Sequence, residues 1–491
     1  MKRLIALLAF VLCLTDAQLT ANAQDEYDIG VGRRPGGNRV GVPSRWRGSP
    51  QGSRIRTASH LQEEVVAGDV TYEGDYVEGD YIQGDYVDGG YIESGCDSCG
   101  GGGCDSCCIS NGCCDNCSAP RGFCICFPSH GWVQVDYLNW YQKGVDLPAL
   151  VSTGPAATRG VIGQAGTTLL YGGDSILTDD RDGIRVRFGW WLGNFPGWGI
   201  EAEHVGLDNE TERFFTQSTG TPIISRPFFD VTAGQENSVA VAFPVGVGPG
   251  SILIESESRL QSGAVRLRRQ LLGCESVACS FLRGHEVPTS SRLDFTLGYR
   301  FWQLDDQINI QDNNTVGPPA LGRVGTLAIT DRFRSKNQFN GFEFGFLWQA
   351  RRGWWSLDAL ARLSVGNVLQ TVDITGSTTR TQAGVVSTGT GGVLALPSNI
   401  GSYSREQFTM VPELGFTLGY QLTRRIRTNL GYSMIYWGNV ARAGEQIDRN
   451  INPNQFPFAA GAVVPPNRPQ FQFEQTDYWV QGLSFGGEFR W

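Results

Sequence analysis

The chain has 491 residues, with 65 glycines, 11% aromatic residues, only 18% charged residues and a formal net charge of −9. The acidic balance argues against a nucleic-acid-binding surface, and four histidines leave little material for a histidine-based metal site. No apolar run after residue 14 approaches the roughly 20 residues of a membrane helix.

The chain opens with Lys2 and Arg3 before an apolar stretch, and Ala21-Asn22-Ala23 puts small residues at the two positions a signal peptidase reads. Residues 1–23 are therefore expected to be a signal peptide, cleaved before Gln24, and the cysteines beyond it to meet an oxidising compartment. Residues 24–94 show no packed-core pattern and carry a five-residue repeat: GDYVE (74–78), GDYIQ (79–83), GDYVD (84–88) and GGYIE (89–93). An odd period cannot keep one side-chain type on one face of a strand. The repeat reads as a low-complexity, disordered linker, with a tyrosine-bearing ligand for a cell-wall polymer as the sharper alternative.

Residues 95–127 form a cysteine-rich segment: Cys96, Cys99, Cys104, Cys107, Cys108, Cys113, Cys114, Cys117, Cys124 and Cys126. Three pairs have the form Cys-Asp-x-Cys. Two such pairs could give four thiolates to one zinc. The pairs are crowded, however, no histidine assists, and export favours disulfides, within the chain or to a neighbouring envelope protein. Cys274 and Cys279, five apart in an expected turn, are candidates for a further local disulfide.

From residue 128 onward the pattern changes to long period-two alternation. Leu293, Phe295, Leu297, Tyr299 and Phe301 oppose Arg292, Asp294, Thr296, Gly298 and Arg300; Phe342, Phe344, Phe346 and Trp348 oppose Glu343 and Gly345. Residues 184–192, 357–365 and 414–422 repeat the arrangement, with every charge on the second face. Aromatic-rich apolar faces opposite polar ones fit a transmembrane antiparallel up-and-down β-barrel, apolar toward lipid. About ten strands are expected, near 132–142, 183–192, 198–207, 256–270, 290–304, 339–349, 354–368, 407–422, 425–438 and 477–491, with twelve as the alternative. Long connections at 143–182, 208–255, 305–338, 369–406 and 439–476 alternate with short ones, which places both ends of the barrel, and the cysteine-rich arm, on the periplasmic side.

The polar faces nominate Arg185, Arg187, Glu201, Glu203, Arg292, Asp294, Arg300, Glu343 and Glu413 as lumen-facing charges. A hairpin centred near Asn194 would set Arg187 against Glu201 and Arg185 against Glu203, as a structural charge ladder or as an ion-selective constriction. A ten-strand barrel lies near the size that side chains fill, which favours the ladder. Candidates for catalysis are His204, His285 and the pairs Asp179-Asp180 and Asp305-Asp306. His204 falls on an apolar face, Asp305-Asp306 should end a strand and begin a solvated loop, and no nucleophile–base geometry follows from the spacings. The reading is no enzyme and no cofactor.

The chain ends on Ser484-Phe485-Gly486-Gly487-Glu488-Phe489-Arg490-Trp491. Through Ser484, Gly486, Phe489 and Trp491 it resembles the signal read by the barrel assembly machinery. The segments 183–207, 293–310, 410–452 and 479–491 resemble the family called putative beta-barrel porin 7, over about residues 130–491. That resemblance implies an outer-membrane barrel with an inferred transport role. The expectation is a porin-like channel with a narrow charged lumen, touching outer-membrane lipid and the assembly machinery. The alternatives are a structural envelope protein, its barrel anchoring a disulfide-cross-linked periplasmic arm that meets cell-wall or other envelope proteins, and, less favoured, an outer-membrane enzyme.

Overall fold

The computed structural model describes residues 130–279, 286–316, 325–459 and 464–491. The expected signal peptide, linker and cysteine-rich segment, including Cys96 through Cys126, lie outside the described residues, as does His285.

Ten strands close a ring: β1 (Gly131–Gln142), β2 (Asp180–Trp191), β3 (Trp198–Leu207), β4 (Val247–Cys279), β5 (Glu286–Val316), β6 (Gly325–Arg352), β7 (Trp355–Gln382), β8 (Gly401–Gln421), β9 (Ile426–Val440) and β10 (Thr476–Arg490). Each pairs antiparallel with its neighbours in sequence, and β1 pairs with β10 from Trp132↔Arg490 to Gln142↔Val480. No ring strand is left with an open edge, so every ladder is shared on both sides, as a span through hydrocarbon requires. Two further strands, Glu210–Ser218 and Val385–Thr390, extend the sheet from β4 and β7, which makes twelve in all.

The outer face carries a continuous apolar band. Phe342, Phe416, Phe485, Leu297 and Leu430 are exposed there, and a large exposed apolar surface of this kind is a membrane face. Trp198, Trp348, Trp354 and Trp355 rim it at the end with the short turns; Tyr137, Tyr141, Tyr299 and Tyr436 rim it at the other, as interfacial aromatic girdles do. We call these the turn end and the cap end. The membrane-spanning segments are the stretches between the two rims, for example 293–301 of β5 and 340–348 of β6.

Strands β4 to β7 run far past the band, with 33, 31, 28 and 28 residues. A crossing strand needs only about 9–11. The expected strand ends near 304, 339 and 368 are corrected accordingly: β5 continues to Val316, β6 begins at Gly325 and β7 continues to Gln382. The reason is an inversion of the faces. In β5 the apolar side chains point outward up to Phe301, then inward at Trp302, Leu304, Ile308 and Ile310. In β6 they change from Phe342–Trp348 outward to Ile329 and Phe333 inward, and in β7 from Leu357–Val365 outward to Val368, Val372 and Ile374 inward. Where lipid gives way to water, the outer face must become polar, and the inner face has a core to cover.

That core is a cap. A second sheet, of the strands Gln235–Ala242, Ile224–Asp230, Val151–Thr153 and Thr168–Tyr171 with Asn450–Ile451 added in parallel, folds from the long connections. Its Val151, Ile224 and Phe228 join Leu394, Leu396 and Ile451 against the inward Ile252, Ile254, Ile308 and Val372 of the wall. Within it Arg226 bridges Asp312 (3.1 Å) and Asp331 (2.6 Å).

Two further expectations are corrected. Asp306 does not begin a solvated loop; it is buried in β5, paired with Arg442 from the connection after β9. Cys274 and Cys279 are not in a turn but in strand β4, and Cys274 is a free, exposed thiol. Five residues of strand separate their Cα atoms by roughly 16 Å. A disulfide tolerates about 7 Å at most.

Candidate functional site

The interior of the barrel is built from the inward residues of the ring. Arg185 and Arg187 stand on β2, Glu201 and Glu203 on β3, Arg292, Asp294 and Arg300 on β5, Glu343 on β6 and Glu413 on β8, all turned to the inner face. Arg187 and Arg292 keep some exposure and the others are buried. The structure adds partners that the sequence reading did not nominate: Asp136, Arg266, Arg268, Asp358, Arg362, Arg427 and Glu488.

Arg266 of β4 is the hub. Its Nη1 donates to Glu201 (2.7 Å), its Nε to Glu343 (2.7 Å) and its Nη2 to Glu203 (3.2 Å). Gly298 makes room for this contact. It lies between Arg266 and Glu343 in the sheet, and a Cβ there would come 2.5 Å from the Arg266 Cα. Arg362 of β7 donates to Glu201 at 3.0 Å, and Arg300 pairs with Glu203 and with Glu413 (3.6 Å). Contacts between strands that are not neighbours in the sheet must pass through the interior. The network therefore crosses the lumen and does not merely line it.

The expected hairpin register is off by two residues. Arg187 faces Glu203, at 3.6 Å, and Glu201 faces Gly189, while Arg185 faces Val205. The turn centres on Phe195, closed by Gly197 at φ +76°, one residue beyond the expected centre. Arg185 thus has no carboxylate opposite; its guanidinium lies over the Trp140 ring at 5.0 Å and donates to Ser433 Oγ at 3.2 Å. Nearer the turn end, Asp294 is shared by Arg268 and Arg292, both at 2.6 Å, and Arg427 reaches Asp358 (2.9 Å) and Glu488 (3.5 Å).

Above the charges lies an apolar layer. Leu138, Trp140, Val205, Leu207, Leu260, Trp302, Leu304, Phe339, Val368, Val411, Ile435, Trp437, Tyr478 and Val480 form one buried cluster, to which every ring strand except β2 contributes. Trp140, Trp302, Phe339 and Trp437 are at most 2% exposed. Arg300 stacks on Trp302 at 4.3 Å, tying the two layers together. Below the charges, a cavity of about 230 Å³ opens at the turn end, lined among others by Arg187, Arg292, Arg351 and Trp191.

The remaining nominated residues are also placed. Phe489 and Trp491 stack with ring centroids 6.1 Å apart, and Trp491 also meets Phe188, sealing the outer seam of β10, β1 and β2. Ser484 points inward and is buried. A Cβ on Gly486 would come 2.2 Å from the Val135 carbonyl oxygen, so this close strand approach requires glycine. His204 sits on the outward face of β3, and Asp180 accepts from Asn139 at 2.6 Å. No group of His, Cys, Asp and Glu among the described residues is arranged to hold a metal.

A closed ten-strand ring with an aromatic-rimmed apolar band is the setting in which the family match is decided: the family described as Putative beta barrel porin-7 matches residues 132–491. The chain belongs to that family. It is an outer-membrane β-barrel of porin-like family. No curated protein matches it. Among solved structures it is similar to the outer membrane protease OmpT from Escherichia coli, at 9% identity and TM-score 0.34, covering 74% of this chain and 97% of that one. It is also similar to the P. putida toluene transporter TodX, at 8% identity and TM-score 0.17, covering 74% and 90%.

Proposed function

We propose that the barrel is closed at rest and serves as an anchored structural element of the outer membrane, with no standing pore. The observation that carries this reading is the apolar layer around Trp140, Trp302, Phe339 and Trp437, fully buried across the interior above a charge network that also crosses it. An open pore needs a continuous wet path, and a dry layer of large side chains offers none. The turn end, where Gly131 and Trp491 meet, faces the periplasm in this reading, since short turns do so in such barrels. Outer-membrane lipid contacts the apolar band, the assembly machinery reads the last strand, and the cysteine-rich arm links the barrel to other envelope components through disulfides.

A second reading, a channel that opens only when the layer is displaced, is favoured by the turn-end cavity, which already reaches Glu201 and Arg362. Neither reading gives a role to His204, which faces lipid, or to Asp306, which pairs with Arg442. Liposome swelling with a small sugar tests the proposal. Wild-type protein should swell no faster than protein-free liposomes, while Trp302→Ala with Trp437→Ala should admit the sugar. Wild-type swelling equal to that of the double variant would overturn it.

A further inference from the structure

The charges of the interior are not evenly distributed along the barrel axis. In the crossing network, Arg185, Arg187, Arg266, Arg300 and Arg362 stand with Asp136, Glu201, Glu203, Glu343 and Glu413, five against five. At the turn end the balance fails. Arg268 and Arg292 share Asp294, Arg427 and Arg490 share Glu488, and Arg427 also holds Asp358, so that with Arg351 five guanidiniums stand against three carboxylates. Arg351, the penultimate residue of β6, has no side-chain hydrogen-bond or ion-pair partner among the described residues. Arg490 lies within electrostatic reach of both Arg351 and Arg292, and Glu488 and Asp358 lie within reach of Arg351 without pairing with it.

These groups meet at one cavity. The space of about 230 Å³ is lined by seven guanidiniums, among them those of Arg185, Arg292, Arg351 and Arg490, against three carboxylates, Glu201, Asp358 and Glu488. Four of its guanidiniums, those of Arg185, Arg187, Arg292 and Arg362, present buried nitrogens with no hydrogen-bond acceptor, against one unpaired carboxylate oxygen, Asp358 Oδ1. An unsatisfied, buried, charged donor is costly, and several converging on one cavity represent a strong demand for an acceptor. The volume is below the roughly 300–1,000 Å³ of pockets for drug-sized ligands. Guanidinium forks match the oxygens of phosphate and carboxylate groups, and Trp191 holds the Arg292 fork in place from 4.0 Å.

We propose that this vestibule is a binding site for a small, soluble, multiply charged oxyanion of the phosphate type. The anion supplies acceptors to Arg351, which has no partner, and to the unsatisfied Arg185 Nε and Arg292 Nη2, and it enters from the turn end without crossing the apolar layer. Binding is thus independent of whether the barrel conducts.

Isothermal titration of the full-length, refolded protein with pyrophosphate, at ionic strength held constant with sodium chloride, tests the site. Saturable binding near one equivalent is expected. Arg292→Gln with Arg351→Gln should weaken it at least about tenfold, the scale of a lost charged hydrogen bond. Neither change strands a carboxylate, because Arg351 pairs with none and Asp294 keeps Arg268; heat-modifiable migration verifies that the variant is folded. Arg213→Gln, on an exposed pair of the cap wall, should leave the affinity unchanged. Absence of saturable heat in the wild-type protein, or equal affinity in the folded double variant, would overturn the assignment.

Discussion

Arg362 of β7 donates to Glu201 of β3 at 3.0 Å, although three strands separate them along the shorter arc of the ring. The contact spans the lumen, and with Arg266 at its centre it makes the barrel interior a solid polar core. Removing one partner of a buried ion network strands the others and costs roughly 3–5 kcal/mol. Arg266→Met should therefore lower the urea midpoint of unfolding strongly, since Glu201, Glu203 and Glu343 all lose a donor. Arg213→Ala, which breaks an exposed pair at 3.7 Å, should shift stability by less than about 1 kcal/mol. Equal midpoints for the two variants would show that the interior network is not holding the fold.

Gly298 offers a finer test of the same core. Any side chain there would occupy the space through which Arg266 reaches Glu343. Gly298→Val should destabilise the barrel comparably to Arg266→Met, and the two changes together should cost clearly less than their sum, because they disable one contact. Simple additivity in a double-mutant cycle on urea midpoints would separate Gly298 from the network.

The barrel and its inward charges are legible in the sequence for a physical reason: inside the membrane each strand has one apolar and one polar face, and period two exposes both. The extensions of β4 to β7 are not, because the apolar residues change faces as the wall leaves the lipid. Phe301 points out and Trp302 points in, so an alternation followed in one phase stops there. The cap is hidden for another reason, since its core joins residues as distant as Val151, Ile310 and Ile451. Arg266 and Arg268 carried a usable signal, two apart on one face with Ser262 and Ala264, but Arg269 on the other face obscured it. The missed register of Arg187 and Glu203 came from a turn one residue off centre, and such an error shifts every facing pair by two.

Lipid accessibility checks the register directly. Single cysteines at Leu297 and Phe344, both exposed on the outer face, should react with a membrane-soluble maleimide, and those at Thr296 and Glu343, both buried, should not. The background should carry Cys274→Ser and Cys279→Ser, since the two cannot pair and Cys274 is free and exposed, and labelling should be read on the peptide that bears the introduced cysteine. Equal labelling on the two faces would contradict the placement of the interior charges.

The last strand should control assembly. Deletion of Trp491 together with Phe489→Ala removes the aromatic stack at the β10–β1–β2 seam. We expect a sharp fall in outer-membrane insertion, read as loss of heat-modifiable migration. Insertion at the wild-type level would show that neither ring is needed.

The cap should respond to pH through Asp312, which lies in β5 beyond the membrane-spanning segment. Burial, only partly offset by Arg226, pushes its carboxyl up to about 6 from an ordinary 3.8. The folded state then holds this proton more tightly than the unfolded chain, so its stabilising contribution is complete below about pH 4 and is lost as pH rises through about 6. Hydrogen exchange at Ile308 and Ile310 should accelerate between pH 5 and 7.5 beyond the intrinsic rate increase. Asp312→Asn should reduce that excess; an unchanged excess in the variant would assign it to other groups.

Single-channel recording in planar bilayers tests the sealed interior most directly. Full-length wild-type protein, verified as folded by heat-modifiable migration, should give a silent baseline at moderate voltage. Trp302→Ala with Trp437→Ala should give resolved conductance steps. Steady, voltage-independent steps from the wild-type protein, unaltered in the double variant, would contradict the account, because ions would then be passing where the apolar layer leaves them no path.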